Sequence, residues 1–174
     1  MNNQVLEQNL KEEILALVDG RKSLQLASSN QAGQPYASYA PFAHDGEAIY
    51  VLLSEIALHG RNLQDRPEAS VLIIEDEDSA EQLFARRRVN YQVQARYIQH
   101  GAEGWQQGIE VLAQRHGERV MRLSELDDFK LFRLQLNSGR YVKGFGKAYE
   151  LVGGGLTGHS LEHLRDGHRK RSAA

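Results

Sequence analysis

Residues 129–151 read FKLFRLQLNSGRYVKGFGKAYEL, and this stretch decides the fold class. Apolar and polar residues alternate over 129–136 and again over 140–151, as expected for strands that bury one face. The tripeptide NSG at 137–139 lies between the two runs and is typical of a turn. The stretch therefore predicts a β-hairpin whose strands are joined at residues 137–139.

The rest of the chain shows the same kind of patterning. Further strands are predicted where apolar residues alternate or form short runs, at 23–29, 36–43, 47–54 and 68–76, and in a long segment from Val89. Helices are predicted where apolar residues recur every three or four positions, over 2–19, 55–65 and 101–126. About six antiparallel strands with a few helices between them predict an α+β protein built on a closed or split β-barrel.

The chain divides into three predicted parts. Residues 1–20 form an N-terminal helix, residues 21–151 form the barrel domain, and residues 152–174 form a flexible C-terminal arm that begins with three glycines. A chain of 174 residues can bury a core without disulfides or a structural metal. We therefore expect one domain with an appended arm.

Composition limits the possible partners and compartments. The formal net charge of -2 argues against a general nucleic-acid-binding protein. The absence of cysteine excludes a disulfide framework, a thiol nucleophile and a thiolate metal site. The apolar runs are too short to span a bilayer, and the N-terminus lacks the pattern of a signal peptide. We expect a cytoplasmic protein with no membrane or nucleic-acid partner.

Four segments carry a resemblance to a known family. They are LQLASSNQAGQPYASYAPF (24–42), LLSEIALHGRNLQDRPEASVLIIEDE (52–77), QLFARRRVNY (82–91), and LFRLQLNSGRYVKGFGKAYEL (131–151) followed by GHRK (167–170). Together they resemble the HugZ/HutZ family of heme-utilisation proteins, which are relatives of the pyridoxamine 5′-phosphate oxidase split barrels. The resemblance covers nearly the whole chain, and FARRR, VKGFGKAY and GHRK are its most specific motifs.

This resemblance implies both a fold and an activity. The fold is a split β-barrel of the FMN-binding type, assembled as a homodimer that binds heme near the subunit interface. The activity is oxidative cleavage of the porphyrin to release iron, with heme as both substrate and cofactor. Molecular oxygen and an external electron donor would be the other reactants. A heme carrier, an FMN-dependent oxidase and a non-catalytic dimeric barrel are the alternatives.

The resemblance also implies an iron ligand, which falls on His168 of this sequence. A neutral histidine suits a heme that must keep one axial position open for oxygen. Such a ligand usually donates its other N–H group to a carboxylate. Asp128, just before the strand that starts at 129, is the expected acceptor and catalytic partner, from the same or the opposite subunit. Asp166, two residues before His168, is the alternative acceptor.

Heme brings two propionates that need cationic partners. Arg86 and Arg88 are predicted to share one strand face, whereas Arg87 is predicted to face away from them, towards solvent. The full set of expected propionate contacts is Arg86, Arg88, Lys143, Arg169 and Lys170. Arg88 is also predicted to act in catalysis by holding a water on the oxygen side of the heme.

His59 is the last predicted ligand contact. It lies in ALHGRNL (57–63), where related flavoproteins carry a basic phosphate contact. The FMN alternative would use this region, with Ser54 and Arg61 as further contacts. Because histidine replaces the usual lysine or arginine, we expect His59 to line the heme crevice or the dimer interface instead.

Overall fold

The computed structural model describes residues 3–165, 167 and 171. Over these residues the chain forms four α-helices and nine strands. The helices are α1 (Asn3–Gly20), α2 (Leu58–Asp65), α3 (Trp105–His116) and α4 (Glu118–Ser124). The strands are β1 (Ser23–Ser29), β2 (Pro35–Pro41), β3 (Ala43–His44), β4 (Ala48–Ser54), β5 (Glu68–Ile74), β6 (Arg88–Ile98), β7 (Phe129–Gly144), β8 (Lys147–Val152) and β9 (Ser160–Leu164).

The strands form one sheet in the order β2-β1-β5-β6-β7-β4-β3, and β8 and β9 extend it from β7. Each of these pairings is antiparallel. The predicted antiparallel α+β class is therefore confirmed. No helix in the described part of the chain is long and apolar enough to cross a membrane.

The core lies on the inner face of this curved sheet. Alternate residues of the strands point inward, as in β1, where Leu24 and Leu26 are buried and their neighbours are exposed. Helix α1 adds Leu10, Ile14 and Val18 to the same apolar cluster. A second cluster packs α3 against the other face of β4 and β7, through Trp105, Ile109, Leu112, Tyr50 and Leu131. The barrel is thus filled from inside and covered by helices outside.

The predicted hairpin turn at 137–139 is wrong. Strand β7 runs without interruption from Phe129 to Gly144, and the register against β6 shifts at Asn137, which has no partner there. This is a β-bulge, which sharpens strand curvature. A Cβ at Gly139 would lie 2.9 Å from the Tyr91 ring, so glycine is needed there for close packing. The NSG tripeptide therefore bends one strand instead of separating two.

The turn lies instead at Phe145 and Gly146, between the paired residues Gly144 and Lys147. Gly146 has φ +66°, a conformation that favours glycine. The chain then continues into β9, inside the segment predicted to be a flexible arm. Leu156, which is only 2% exposed, and a 2.5 Å hydrogen bond from the Tyr91 hydroxyl to its carbonyl oxygen hold the connection to the barrel.

Two carboxylates, Glu13 and Glu75, form hydrogen bonds that link strands of the barrel to α1 and to the segment before β6. Glu13 of α1 accepts hydrogen bonds from the Tyr141 hydroxyl and from Lys143. Glu75, which is almost buried, accepts from the Arg87 backbone at 2.7 Å and from its guanidinium at 2.9 Å. The Arg87 side chain was predicted to face solvent and is 57% exposed, but it also neutralises this buried charge.

The pKa of Glu75 reflects these contacts. Burial acts to raise this pKa, but the hydrogen bonds from Arg87 and the charges of Arg87 and Arg86 outweigh it, and the net effect lowers the pKa. Because the pKa is lower in the folded chain, Glu75 stabilises the fold above the ordinary carboxyl pKa. That contribution is lost as the pH falls through the lowered value.

Helix α2 fits tightly against the end of β4, and Gly60 makes this possible. A Cβ at Gly60 would lie 2.3 Å from the Ser54 carbonyl oxygen. We predict that Gly60→Ala lowers the free energy of unfolding by about 1–3 kcal/mol, although alanine favours helix formation. Gly20→Ala is the control, because a Cβ there meets nothing within 4 Å. Urea unfolding measures both, and equal stability of the two variants would contradict the tight contact.

Arg87→Ala leaves the nearly buried Glu75 carboxylate with the backbone N–H of residue 87 alone. We predict a loss of about 1–2 kcal/mol in the free energy of unfolding at pH 7. At pH 3 the loss shrinks, since Glu75 is then largely protonated in the variant. Glu7→Gln, which breaks the i,i+4 pair with Lys11, should cost less than about 0.5 kcal/mol at pH 7. A loss for Arg87→Ala that does not change with pH would refute this explanation.

Candidate functional site

Asp128 is held at the junction between the end of β4 and the start of β7. Ser54 pairs with Phe129 in the ladder, and the Glu55 N–H donates to the Asp128 carbonyl oxygen at 2.8 Å. The Ser54 hydroxyl donates to Asp128 Oδ2 at 2.6 Å and accepts from the Ile56 N–H at 3.1 Å. The carboxylate is therefore fixed on one side by a serine that sequence reasoning did not connect with it.

His59 lies close by, in the first turn of α2. Its Nδ1 is 3.0 Å from the Ser38 hydroxyl, and the ring is half-buried. This burial lowers the pKa of His59 below its ordinary value. The imidazole is therefore largely neutral at pH 7. A neutral ring is a weak partner for a phosphate or a propionate, but it suits a crevice wall or a hydrogen bond to water.

The start of α2 fits a flavin phosphate poorly. Phosphate sites at helix N-termini combine free backbone N–H groups with hydroxyl or cationic side chains. Here the N-cap residue Ala57 offers no hydroxyl or cationic side chain, and the Ser54 hydroxyl is committed to Asp128. Ile56 and Leu58 on either side are 77% and 49% exposed. This surface matches an apolar planar ligand better than a phosphate.

Three of the basic residues predicted to bind propionates, Arg86, Arg88 and Lys143, are among the described residues, and each lines a different cleft. Arg86 binds the Glu75 carbonyl oxygen and pairs with Glu77, in a cleft that it shares with Arg21. Arg88 lies on the outer sheet face beside Asn90. The prediction that Arg86 and Arg88 share a strand face is wrong, because β6 begins only at Arg88.

Lys143 borders a third cleft of about 700 Å³, which sequence reasoning missed. Arg87, Glu75 and Glu13 also line it, and Phe145 lies at its edge. Lys143 is bonded to Glu13, so its ammonium group already has a partner. No sequence signal marks this cleft, because its walls come from α1, the segment before β6 and the β7–β8 turn.

The predicted iron ligand, His168, lies outside the described residues, as do Arg169 and Lys170. The last strand before them still locates the point from which they leave the barrel. Leu164 pairs with Ala148, and Ala148 pairs with Val142 near the end of β7. Strand β9 ends at Leu164, four positions before His168 in the sequence.

Asp128 precedes the opposite end of β7. Val142 is thirteen positions after Phe129, which corresponds to about 43 Å of strand at 3.3 Å per residue. Asp128 therefore lies beyond one end of β7, whereas the strands that lead to the arm are paired near its other end. The predicted site residues therefore form two groups: Asp128 with His59 at one end of β7, and Arg88 with Lys143 and the exit of the arm at the other.

Within the described residues, no group of three or more His, Asp or Glu side chains is arranged to hold a metal ion. None of five pockets among the described residues is lined by members of both groups.

Comparisons with known proteins agree with this architecture. A family model described as pyridoxamine 5′-phosphate oxidase matches residues 10–143. Heme oxygenase HutZ of Vibrio cholerae serotype O1 is 45% identical over 167 residues, which cover 96% of this chain and 94% of HutZ.

Solved structures give the same result. The crystal structure of HutZ from Vibrio cholerae, described there as a heme storage protein, matches with a TM-score of 0.71 and 44% identity, covering 74% of this chain and 90% of that one. ChuZ from Campylobacter jejuni matches with a TM-score of 0.74 and 27% identity, covering 91% and 68%. The predicted split-barrel type is confirmed, and the chain belongs to the pyridoxamine 5′-phosphate oxidase family, in the group of split barrels that includes HutZ.

Proposed function

We propose that this protein binds heme at a site shared by two subunits and degrades the porphyrin oxidatively. The observation that carries the proposal is the placement of Asp128 and of the arm's exit at opposite ends of β7. The names of the relatives support heme as the ligand, since one is called a heme oxygenase and one solved structure a heme storage protein. The exposed Ile56 and Leu58 support a planar apolar ligand beside Asp128.

His168 is the proposed iron ligand. Its imidazole would bind iron through one nitrogen and donate the N–H of the other to Asp128 of the partner subunit. That hydrogen bond fixes the ring orientation and raises the basicity of the ligating nitrogen. Bound heme supplies the redox chemistry with oxygen and an external electron donor. The protein contributes the ligand, the orientation of the ring and the exclusion of bulk water.

Arg88 is the best placed of the proposed propionate partners. Its guanidinium donates to the Arg86 carbonyl oxygen at 3.0 Å and lies in an open depression of the outer sheet face. Arg86 and Lys143 are already paired with carboxyl groups and would have to exchange partners to bind a propionate. Arg169 and Lys170, which follow His168 in the sequence, complete the proposed set of propionate partners. Arg88 has a second proposed role, which is to hold a water molecule near the iron.

A second copy of the chain is the proposed partner of the outer sheet face. A shallow apolar groove lined by Ala27, Ala37, Tyr39 and Leu72 crosses this face, and Tyr39 is 67% exposed. Leu72 also borders the depression that contains Arg88, so the groove and the proposed propionate partner are continuous. A homodimer through this face buries the groove and places Arg88 at the interface.

Heme storage or carriage is the second candidate, because one relative's structure is described in those terms. It would use the same site and leave the porphyrin intact. FMN-dependent oxidation is disfavoured by the apolar start of α2. The cytoplasmic location and the lack of nucleic-acid partners stay predictions from the sequence.

The first test concerns the ligand. We predict that His168→Ala weakens hemin binding at least about 10-fold and abolishes the loss of the Soret band under air with ascorbate and catalase. His163→Ala is the matched control, because its Nε2 already lies 3.1 Å from the Gly146 carbonyl oxygen. Persistence of the Soret band in the wild-type protein would favour storage, and unchanged hemin binding by His168→Ala would refute the ligand.

The second test concerns the shared site. We predict that His168→Ala and Asp128→Ala are each inactive alone, but that refolding them together restores about a quarter of wild-type activity. Half of the randomly formed dimers are mixed, and each mixed dimer has one intact pair contributed by the two subunits. If both residues acted within one chain, no mixed dimer would be active. A mixture without activity would therefore exclude the shared site.

A further inference from the structure

Ser54 has hydrogen bonds that fix the direction of its hydroxyl proton. Its Oγ lies 3.1 Å from the Ile56 backbone nitrogen and 2.6 Å from Asp128 Oδ2. A backbone N–H can only donate, so the hydroxyl accepts from Ile56 and must direct its own proton to Asp128. The short distance is typical of a hydroxyl that donates to an ionised carboxylate. Ser54 is thus committed as a donor to Asp128.

The serine itself is held firmly. It ends β4, where it pairs with Phe129, and its carbonyl oxygen accepts from the Ala57 N–H at 3.2 Å. The missing side chain of Gly60 lets α2 pack directly onto that carbonyl group. The Ser54 hydroxyl is therefore anchored to the barrel and to the start of α2 together. The hydrogen bond from Ser54 therefore holds the Asp128 carboxylate in a fixed position as well.

The carboxylate keeps one oxygen for another partner. Among the residues that the structure describes, the Asp128 side chain accepts a hydrogen bond from Ser54 alone, through Oδ2. Oδ1 is therefore the oxygen open to an incoming N–H donor. An aspartate held by one oxygen cannot rotate freely about its terminal torsion, so the direction of the open lone pairs is set by Ser54.

We propose that Ser54 is a positioning residue for the iron ligand, acting through Asp128 on His168 of the partner subunit. This inference rests on the proposed function. By fixing Asp128, Ser54 sets the direction of the hydrogen bond that Asp128 accepts from the imidazole N–H. The strength and geometry of that bond determine how much electron density the ligating nitrogen gives to iron. Ser54 touches neither heme nor iron in this arrangement.

Ser54→Ala tests the proposal in full-length protein reconstituted with hemin. We expect the iron–histidine stretching band of the ferrous protein, measured by resonance Raman spectroscopy, to shift to lower frequency. The rate of Soret loss with ascorbate should fall about 10-fold, while hemin affinity changes by less than about 3-fold. Thermal unfolding without hemin shows whether the variant is folded, and Ser54→Thr, which keeps the hydroxyl, should restore the wild-type band and rate.

A double-variant cycle separates positioning from a general structural effect. In an Asp128→Asn background, Ser54→Ala should not shift the Raman band further, because the group through which Ser54 acts is already altered. Ser79→Ala is the control, since its hydroxyl binds the Asp76 carbonyl oxygen far from Asp128. It should leave the band and the rate unchanged.

The possible results distinguish this inference from the proposed function. If His168→Ala loses hemin but Ser54→Ala keeps the wild-type band and rate, the positioning role is refuted and the proposed function stands. If the effects of Ser54→Ala and Asp128→Asn add, Ser54 acts independently of Asp128 and the inference is equally refuted. If His168→Ala binds hemin as the wild type does, the proposed function itself fails.

Discussion

Strand β7 forms hydrogen bonds with β4, β6 and β8 along one unbroken run of residues, and the rest of the molecule is arranged around that continuity. Its first half closes the barrel against β4 and supports α3, and its second half carries the extension through β8 and β9. The bulge at Asn137 lets the strand bend between the half that pairs with β4 and the half that pairs with β8. Because β7 is one long strand, Asp128 at its start lies far from the residues at its other end.

This separation explains why a second subunit is part of the proposed mechanism and not only of the assembly. Asp128 is fixed by Ser54 at one end, and the chain leaves β9 at the other. In the proposed homodimer, a two-fold axis perpendicular to β7 would bring the start of one β7 next to the end of its partner's, so the interface would hold two equivalent sites. Under this arrangement, mutations that weaken the dimer reduce heme binding even when they lie far from the ligand.

The sequence predicted local structure better than the relation between distant residues. Alternating patterns located β1 and β5 closely, because burial of one sheet face imposes period two, and a short apolar run located β4, which is buried on both faces. The NSG tripeptide was misread because asparagine, serine and glycine also suit a bulge and a close contact with Tyr91. The Ser54–Asp128 bond, the positions of Arg86 and Arg87 and the pairing of β9 depend on which strands are neighbours, which no local pattern encodes.

The segment between β8 and β9 is anchored to the barrel, and this limits the length of free chain before the proposed iron ligand, His168. Leu156 is buried in the barrel and bonded to Tyr91, and β9 is paired as far as Leu164. Only three residues then separate the last paired residue, Leu164, from His168, so a short stretch of chain connects the proposed ligand to β9. A short connection of this kind corresponds to a millimolar or higher effective concentration of the proposed ligand at an iron within its reach. Small imidazole-like molecules in the cell would compete for that coordination position only at comparable concentrations.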